Sequence, residues 1–379
     1  MDNGPRQGAF LHLLHAFSDD GTPLGTVHAH LWARESLRDN TGKKVKKQYK
    51  QVPFENKESR RWVDALHEAD RVACQSHPTE VICIADSEAD IFELFVAGQA
   101  ESHVSDWIVR ACQDRAVLPN TVKNGPEAPS ATSLFAQVTA SEVLFHNRIS
   151  VRGRKTKVTC ELRSRRQARV SREAEVEVRA ARVTLRPPDR RGQKLPPVLV
   201  NVVLVRETNP PAGEEPVEWL LLTSLPLETM EQVREVIRCY CMRWMVEVFF
   251  RTLKSGCRAE ERRFETLDRQ LNCLAVYLIV AWRTLYVCRL GRSNPDVSCE
   301  TLFDPDEWKA VYYVVHNKTP PITPPALREM VRMVAQLGGY VNKPRRDDPG
   351  PQTVWLGLQR AHDFALCWRL FGPEVTKKN

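Results

Sequence analysis

None of the eleven cysteines pair as C-x-x-C, and their number is odd, so neither a disulfide framework nor a zinc module is expected. Cys239 and Cys241 lie two apart in a helical pattern, where side chains diverge, and do not make a ligand pair. Free thiols suit a reducing, cytoplasmic setting. An N-terminal apolar segment of the secretory kind is missing. The apolar run from Cys273 to Trp282 is too short to cross a bilayer, ends at Arg283 and reads as a buried core helix. Internal repeats and low-complexity tracts are also missing. The charge excess is small: 55 Lys and Arg against 47 Asp and Glu leave +8 over 379 residues, far from a histone-like balance.

What is present is length enough for two or three domains, with basic residues gathered in clusters. Lys43, Lys44, Lys46, Lys47 and Lys50 form one cluster. Arg152, Arg154, Lys155, Lys157, Arg163, Arg165, Arg166 and Arg169 form another. Such stripes suit a partner rich in phosphates, although basic solvated loops look the same.

The start of the chain is a β-hairpin, two apolar runs around Ser18-Asp19-Asp20-Gly21-Thr22-Pro23. Histidines 12, 15, 28 and 30 on it read as packing or hydrogen-bonding groups rather than metal ligands. A helix with Trp62, Leu66 and Ala69 on its apolar face follows. Next, Val81 to Ala85 reads as a wholly apolar strand in the middle of a sheet, ending at Asp86, and helical spacing resumes from Ala89 to Phe95. A carboxylate at the end of such a strand is where open α/β sheets carry functional groups, while a helix N-cap is the plainer role. The strand DWIVRACQD carries Arg110 at its centre. Alternating stretches between 113 and 213, punctuated by Pro-Pro at 187–188, 196–197 and 210–211, predict antiparallel strands. VEWLLLTSLP is a further buried strand. Beyond a linker-like Thr319–Pro325, ALREMVRMVAQLGGY and TVWLGLQRAHDFAL predict two helices.

Between these parts, REVIRCYCMRWMVEVFFRTLKSG predicts one continuous helix. Tyr240, Arg243, Glu247 and Lys254 then share about 60° of arc, at roughly 100° per residue, with Val236, Ile237, Val248 and Phe249 left for buried faces. A hydroxyl, two cations and a carboxylate on one stripe suit a helix that offers a metal-binding carboxylate to a phosphate backbone. Arg243 and Glu247 also fit a solvated i,i+4 ion pair.

The spacing Tyr240-x2-Arg243-x3-Glu247-x6-Lys254 resembles the Y-R-E-K signature of the insertion-sequence-four family of bacterial DDE transposases. IADSEADIFE resembles the segment with that family's second catalytic Asp, here Asp86. WIVRACQ resembles its strand with a phosphate-contacting Arg, here Arg110. EWLLLTSLP looks like the transposon-five branch, whose Trp stacks with displaced transposon-end DNA, here Trp219. AQLGGY and the helix with Trp355 are similar to that branch's dimerisation region.

The resemblance implies a ribonuclease-H-like mixed α/β core over 1–112 and 215–290, a β-rich insertion over 113–214, and a helical dimerisation region over 291–379. It implies a cut-and-paste DNA transposase acting at transposon ends as a homodimer on double-stranded DNA in the bacterial cytoplasm, at the nucleoid. Asp86 and Glu247 are then catalytic metal ligands for Mg²⁺, with Mn²⁺ as substitute, and Arg110, Trp219, Tyr240, Arg243 and Lys254 contact DNA. The family's first catalytic Asp lies on a strand ahead of the hairpin. Asp2, Asp19 and Asp20 end no apolar strand, so the chain is expected to be N-terminally truncated and weakly active or inactive alone. The alternative is a catalytically incompetent, DNA-binding and dimerising remnant that inhibits an intact enzyme.

Overall fold

A computed structural model describes residues 9–33, 52–118, 133–151, 153, 169–189, 194–256, 259–341 and 348–372. The chain forms two compact units, one of residues 45–243 and one of residues 1–44 with 244–379. Of the two basic clusters only Arg169 falls among the described residues.

Among its described residues, the 45–243 unit is built on a seven-stranded sheet. Its strands are β3 (Ile82–Ala85), β4 (Asp106–Arg110), β5 (Val117–Leu118), β6 (Val143–Val151), β7 (Arg172–Leu185), β8 (Val198–Glu207) and β9 (Glu218–Thr223). The order is β3-β4-β9-β8-β7-β5, and β6 also pairs with β7. β3 and β4 run parallel and the other pairings are antiparallel. Side chains alternate between two cores, as the two-residue period of a strand requires. Trp107, Val109, Val183, Leu185, Val202, Leu204, Leu220 and Leu222 face one core, with α1 (Arg60–Gln75), α2 (Phe92–Ala97) and α3 (Leu134–Thr139) contributing Leu66, Phe92, Phe95, Leu134 and Val138. Ile108, Val176, Val178, Val203, Val205 and Leu221 face the other, under Val233, Val236, Ile237 and Tyr240 of α4 (Met230–Met242). Each large side chain fully buried in these layers, Trp107 and Leu221 among them, contributes about 1.5–3 kcal/mol.

Two strand expectations need correction. Among the described residues β3 is at the edge of the sheet, with β4 as its partner, and Ile82, Cys83 and Ile84 are only half-buried. An apolar run of five residues records what its faces meet, but not how many neighbours its backbone has. Arg110 is the last residue of β4 rather than its centre.

The other unit contains the expected hairpin, β1 (Ala9–Phe17) and β2 (Pro23–Ala33). Asp19 and Asp20 sit in its turn. Gly21 there takes φ +84°, and the Asp20 carboxylate accepts hydrogen bonds from Ser18 Oγ, Thr22 N and Thr22 Oγ1. The Ser18 hydrogen bond above all holds the Asp20 carboxyl below the usual range. Leu11, Leu13 and Phe17 pack on Phe249 and Leu253 and on Leu278, Ala281 and Leu285. Among the described residues no group of three or more His, Cys, Asp or Glu is placed to hold a metal ion. His15 lies 3.1 Å from Thr26 Oγ1 and packs on the Phe249 ring.

The helices here are α5 (Trp244–Arg251), α6 (Leu267–Ser293), α7 (Pro305–His316), α8 (Leu327–Leu337) and α9 (Pro351–Phe371). α6 extends well past the expected apolar run and is not wholly core: Val276 is 60% and Ile279 63% exposed. By length and composition it could cross a membrane, a test that core helices also pass. Its C-terminal half closes a second core with α7, α8 and α9, from Val287 and Cys288 through Trp308, Met330 and Val334 to Val354 and Ala361. α8 and α9 approach so closely that a Cβ on Gly357 would collide with the backbone of Val334, and one on Gly338 with that of Thr353.

The single helix expected through residues 234–256 is three elements. α4 stops at Met242, with Arg243 as its C-cap at φ −49° and ψ −30°. The Arg243 N–H turns to Tyr240 O at 3.1 Å, a three-residue bond that tightens the last turn. After α5 the backbone widens into a π turn over Thr252–Gly256. The π turn breaks the even advance of 100° per residue between Glu247 and Lys254.

Candidate active site

Strand direction and alternation bring three candidate residues to one end of the sheet. β3 and β4 are parallel, so Asp86, just past the end of β3, and Arg110, at the end of β4, lie at the same edge. β9 is antiparallel to β4, so Trp219 near its start lies there too. Alternation from Ile84, Ile108 and Leu221 puts all three on the face that α4 covers.

α4 adds Tyr240 from its last turn. The helix starts at a capping box, in which the Thr229 side chain accepts from Gln232 N while the Gln232 side chain accepts from Thr229 N. Its apolar face then runs Val233, Val236, Ile237, Tyr240. Tyr240 is 4% exposed, and its ring meets Trp219 edge-on at 5.4 Å between centroids. Burial raises the phenol pKa. Arg110, and Arg243 by charge and by a hydrogen bond, act in the opposite direction, and Asp86 adds to the rise. The phenol therefore stays protonated at neutral pH and can donate. The Arg243 guanidinium lies 5.9 Å from the Tyr240 ring centre. Asp86, Arg110, Trp219, Tyr240 and Arg243 thus form one neighbourhood of a carboxylate, two cations, a phenol and an indole.

Glu247 and Lys254 belong to the other unit. Glu247 is in the first turn of α5, where the helix dipole favours a carboxylate, and is half-buried. Lys254 is in the π turn and pairs with Glu260 at 2.7 Å, an exposed ion pair that contributes little to stability.

Asp86 also fills the plainer role, since it is the N-cap of the short turn Ser87–Ala89 and its Oδ1 accepts from Glu88 N at 3.0 Å. Capping and metal binding are compatible in a carboxylate with two oxygens. A carboxylate oxygen such as those of Asp86 is a donor of the kind a hard divalent cation takes.

Cys112, Asp90 and Arg115, which help Arg110 to fasten this turn, escaped the sequence reading. Arg110 Nη2 donates to Ser87 Oγ at 3.3 Å, and the Cys112 thiol donates to Ser87 O at 3.4 Å. Asp90, with a fully buried side chain, pairs with Arg115 at 2.6 Å. The one available signal was a charged residue, Asp90, set directly before the apolar Ile91-Phe92.

Against known families, residues 37–282 match the model described as Transposase DDE domain, and residues 279–370 match the one described as Transposase Tn5 dimerisation domain.

Proposed function

We propose, for a chain that belongs to the DDE transposases and is a DNA transposase of the Tn5 type, that Asp86 and Glu247 are its metal-binding catalytic carboxylates. Arg110, Trp219, Tyr240, Arg243 and Lys254 are its DNA contacts. The observation that carries this reading is the convergence of Asp86, Arg110 and Trp219 at one end of the sheet beneath Tyr240 and Arg243. A metal dependence belongs to the family, and Mg²⁺, with Mn²⁺ as substitute, is the ion we assign.

When bound, such an ion supplies Lewis-acid charge neutralisation at the phosphoryl oxygens. The protein's own groups do the positioning. Arg110 and Arg243 each offer a planar fork of donors to phosphate oxygens. The Tyr240 hydroxyl, kept protonated by burial, donates a hydrogen bond to phosphate. Trp219 offers its indole to a base displaced from the end of the duplex, and Lys254 adds a point charge to the backbone. In the reaction assigned here, water attacks a phosphodiester at the transposon end and releases a 3′ hydroxyl. That hydroxyl attacks the opposite strand to close a hairpin, a second water reopens it, and the freed 3′ hydroxyl attacks a phosphodiester of the target duplex. The partners are the transposon ends, the target DNA and a second copy of the chain.

The test is a supercoiled plasmid carrying the gene with its natural flanking DNA, incubated with purified protein and Mg²⁺. Nicking and release of the element by wild type, however weak, is the rate against which the variants are measured. Asp86→Asn and Glu247→Gln are each expected to be slower on the order of a thousandfold, about 4 kcal/mol of transition-state stabilisation. Cleavage at an undiminished rate in Asp86→Asn would remove that residue from the mechanism. DNA binding by wild type without any cleavage would favour the inhibitory role.

A further inference from the structure

The turn that follows Asp86 is anchored by a buried structure of its own. The Asp90 carboxylate receives Cys112 N at 2.8 Å and Gln113 N at 2.9 Å on Oδ2. Its Oδ1 receives Arg115 Nε at 3.0 Å and Nη2 at 2.6 Å. The Asp90 carbonyl accepts from Gln113 Nε2 at 3.1 Å and from Arg115 Nη2 at 2.7 Å. Arg115 is itself almost buried, and its guanidinium lies over the rings of Phe95, at 5.4 Å, and Phe92, at 5.9 Å. Six hydrogen bonds thus join residue 90 to the segment 112–115. That segment leaves β4 immediately after Arg110, and residue 90 is four residues from Asp86.

We propose that the Asp90–Arg115 pair is a positioning device, which holds the Asp86 turn in register with Arg110 so that a carboxylate and a phosphate-binding cation are presented at a fixed separation. A buried ion pair is a poor source of stability compared with apolar residues of the same volume, whereas a fully satisfied polar network rigidifies and specifies one arrangement. Here the side-chain interactions of the pair fall on the two segments that bear Asp86 and Arg110 and on α2, while the Arg115 carbonyl separately accepts from Leu134 N of α3 at 2.7 Å. Asp90 itself is buried and sealed by donors, so it acts through Asp86 and not as a metal ligand.

The inference rests on the assignment of Asp86 as a metal ligand, and the experiment separates the two. Mn²⁺ binding to the full-length protein is followed by electron paramagnetic resonance in wild type, Asp86→Asn, Asp90→Asn and Arg115→Lys. Amide hydrogen exchange and thermal unfolding are measured on the same samples. Asp86→Asn tests the ligand assignment: unchanged Mn²⁺ binding overturns that assignment, and exchange alone then judges the clamp.

For Asp90→Asn we expect Mn²⁺ affinity to fall at least about tenfold. Exchange should rise together in residues 86–90 and 111–115, with the centre of the sheet unchanged. Arg115→Lys keeps the cation but loses the fork and should show the same pattern in weaker form. If Asp90→Asn does not fold, Arg115→Lys alone decides by the same criteria. Wild-type Mn²⁺ affinity in a folded variant whose Asp86→Asn control has lost binding overturns the proposal. So does increased exchange spread evenly over the sheet, which would make the pair a general stabiliser.

Discussion

The His15 ring lies 4.2 Å from that of Phe249, centre to centre, with Nδ1 3.1 Å from Thr26 Oγ1, and burial lowers its pKa from 6.5 to about 4. The unfolded chain takes up this proton near pH 6.5, and the folded chain does not until about pH 4. Stability from this group is therefore complete above pH 6.5 and is lost as the pH falls towards 4. The loss is at most roughly 3 kcal/mol, less for the solvent that still reaches the ring. Urea midpoints at pH 7 and pH 4.5 check this. His15→Phe should lose less stability than wild type between the two, and an equal loss would place the titrating group elsewhere. Single residues were also where the sequence spoke most clearly of the site. Asp86 stands out because it ends an apolar run and Arg110 because it interrupts one, while Trp219 was singled out only by the resemblance to the transposon-five branch. The burial of Tyr240 was not legible, since a phenol on a helix stripe reads equally as a surface or a core group. Asp90 and Arg115 were invisible as a pair because 25 residues separate them.

Among the elements, α8 and α9 depend on a glycine contact. Gly357→Ala would drive a methyl group into the backbone of Val334 and push the two helices apart, at a cost of about 1–3 kcal/mol. Denaturant unfolding measures the cost, and sedimentation of the same variant reports whether self-association weakens with it. An unchanged midpoint would mean that the helices shift apart without penalty. Most elements were readable in advance: β7 and β8 from their alternation, β9 from its apolar run, α1 and α8 from apolar residues three and four apart. α7 also carried a signal, with Asp304 as N-cap, Pro305 opening the helix and Glu307 closing a capping box. What sequence could not supply was adjacency. β3 has the composition of a central strand and the neighbours of an edge one, and nothing in residues 240–247 announces that a helix pauses at Arg243.

For the molecule as a whole, the modest +8 excess makes DNA binding a matter of placed cations rather than of bulk charge. Anisotropy titrations of a labelled duplex between 50 and 200 mM NaCl should show affinity falling on the order of a thousandfold, as expected for roughly six phosphate contacts. Arg110→Ala should reduce the slope of the logarithmic plot by about 1. A flat salt dependence would argue against backbone contacts. The mixed α/β class and the helical C-terminal region were legible from the succession of patterns. Where the chain passes between its two units was not, because residue 243 lies between helices with no Pro, Gly or Ser run to mark it.

That discontinuous unit has a consequence for biosynthesis. The Trp282 indole donates to the Pro23 carbonyl across 259 residues, and the apolar side of the hairpin closes on Leu278 and Leu285. A lone two-stranded hairpin is at best marginally stable in water. At translation rates of about 5–20 residues per second, the ribosome exposes the hairpin for roughly 13–50 s before its cover emerges. Residues 45–243 can fold in that interval, so the hairpin, made before them, is secured after them.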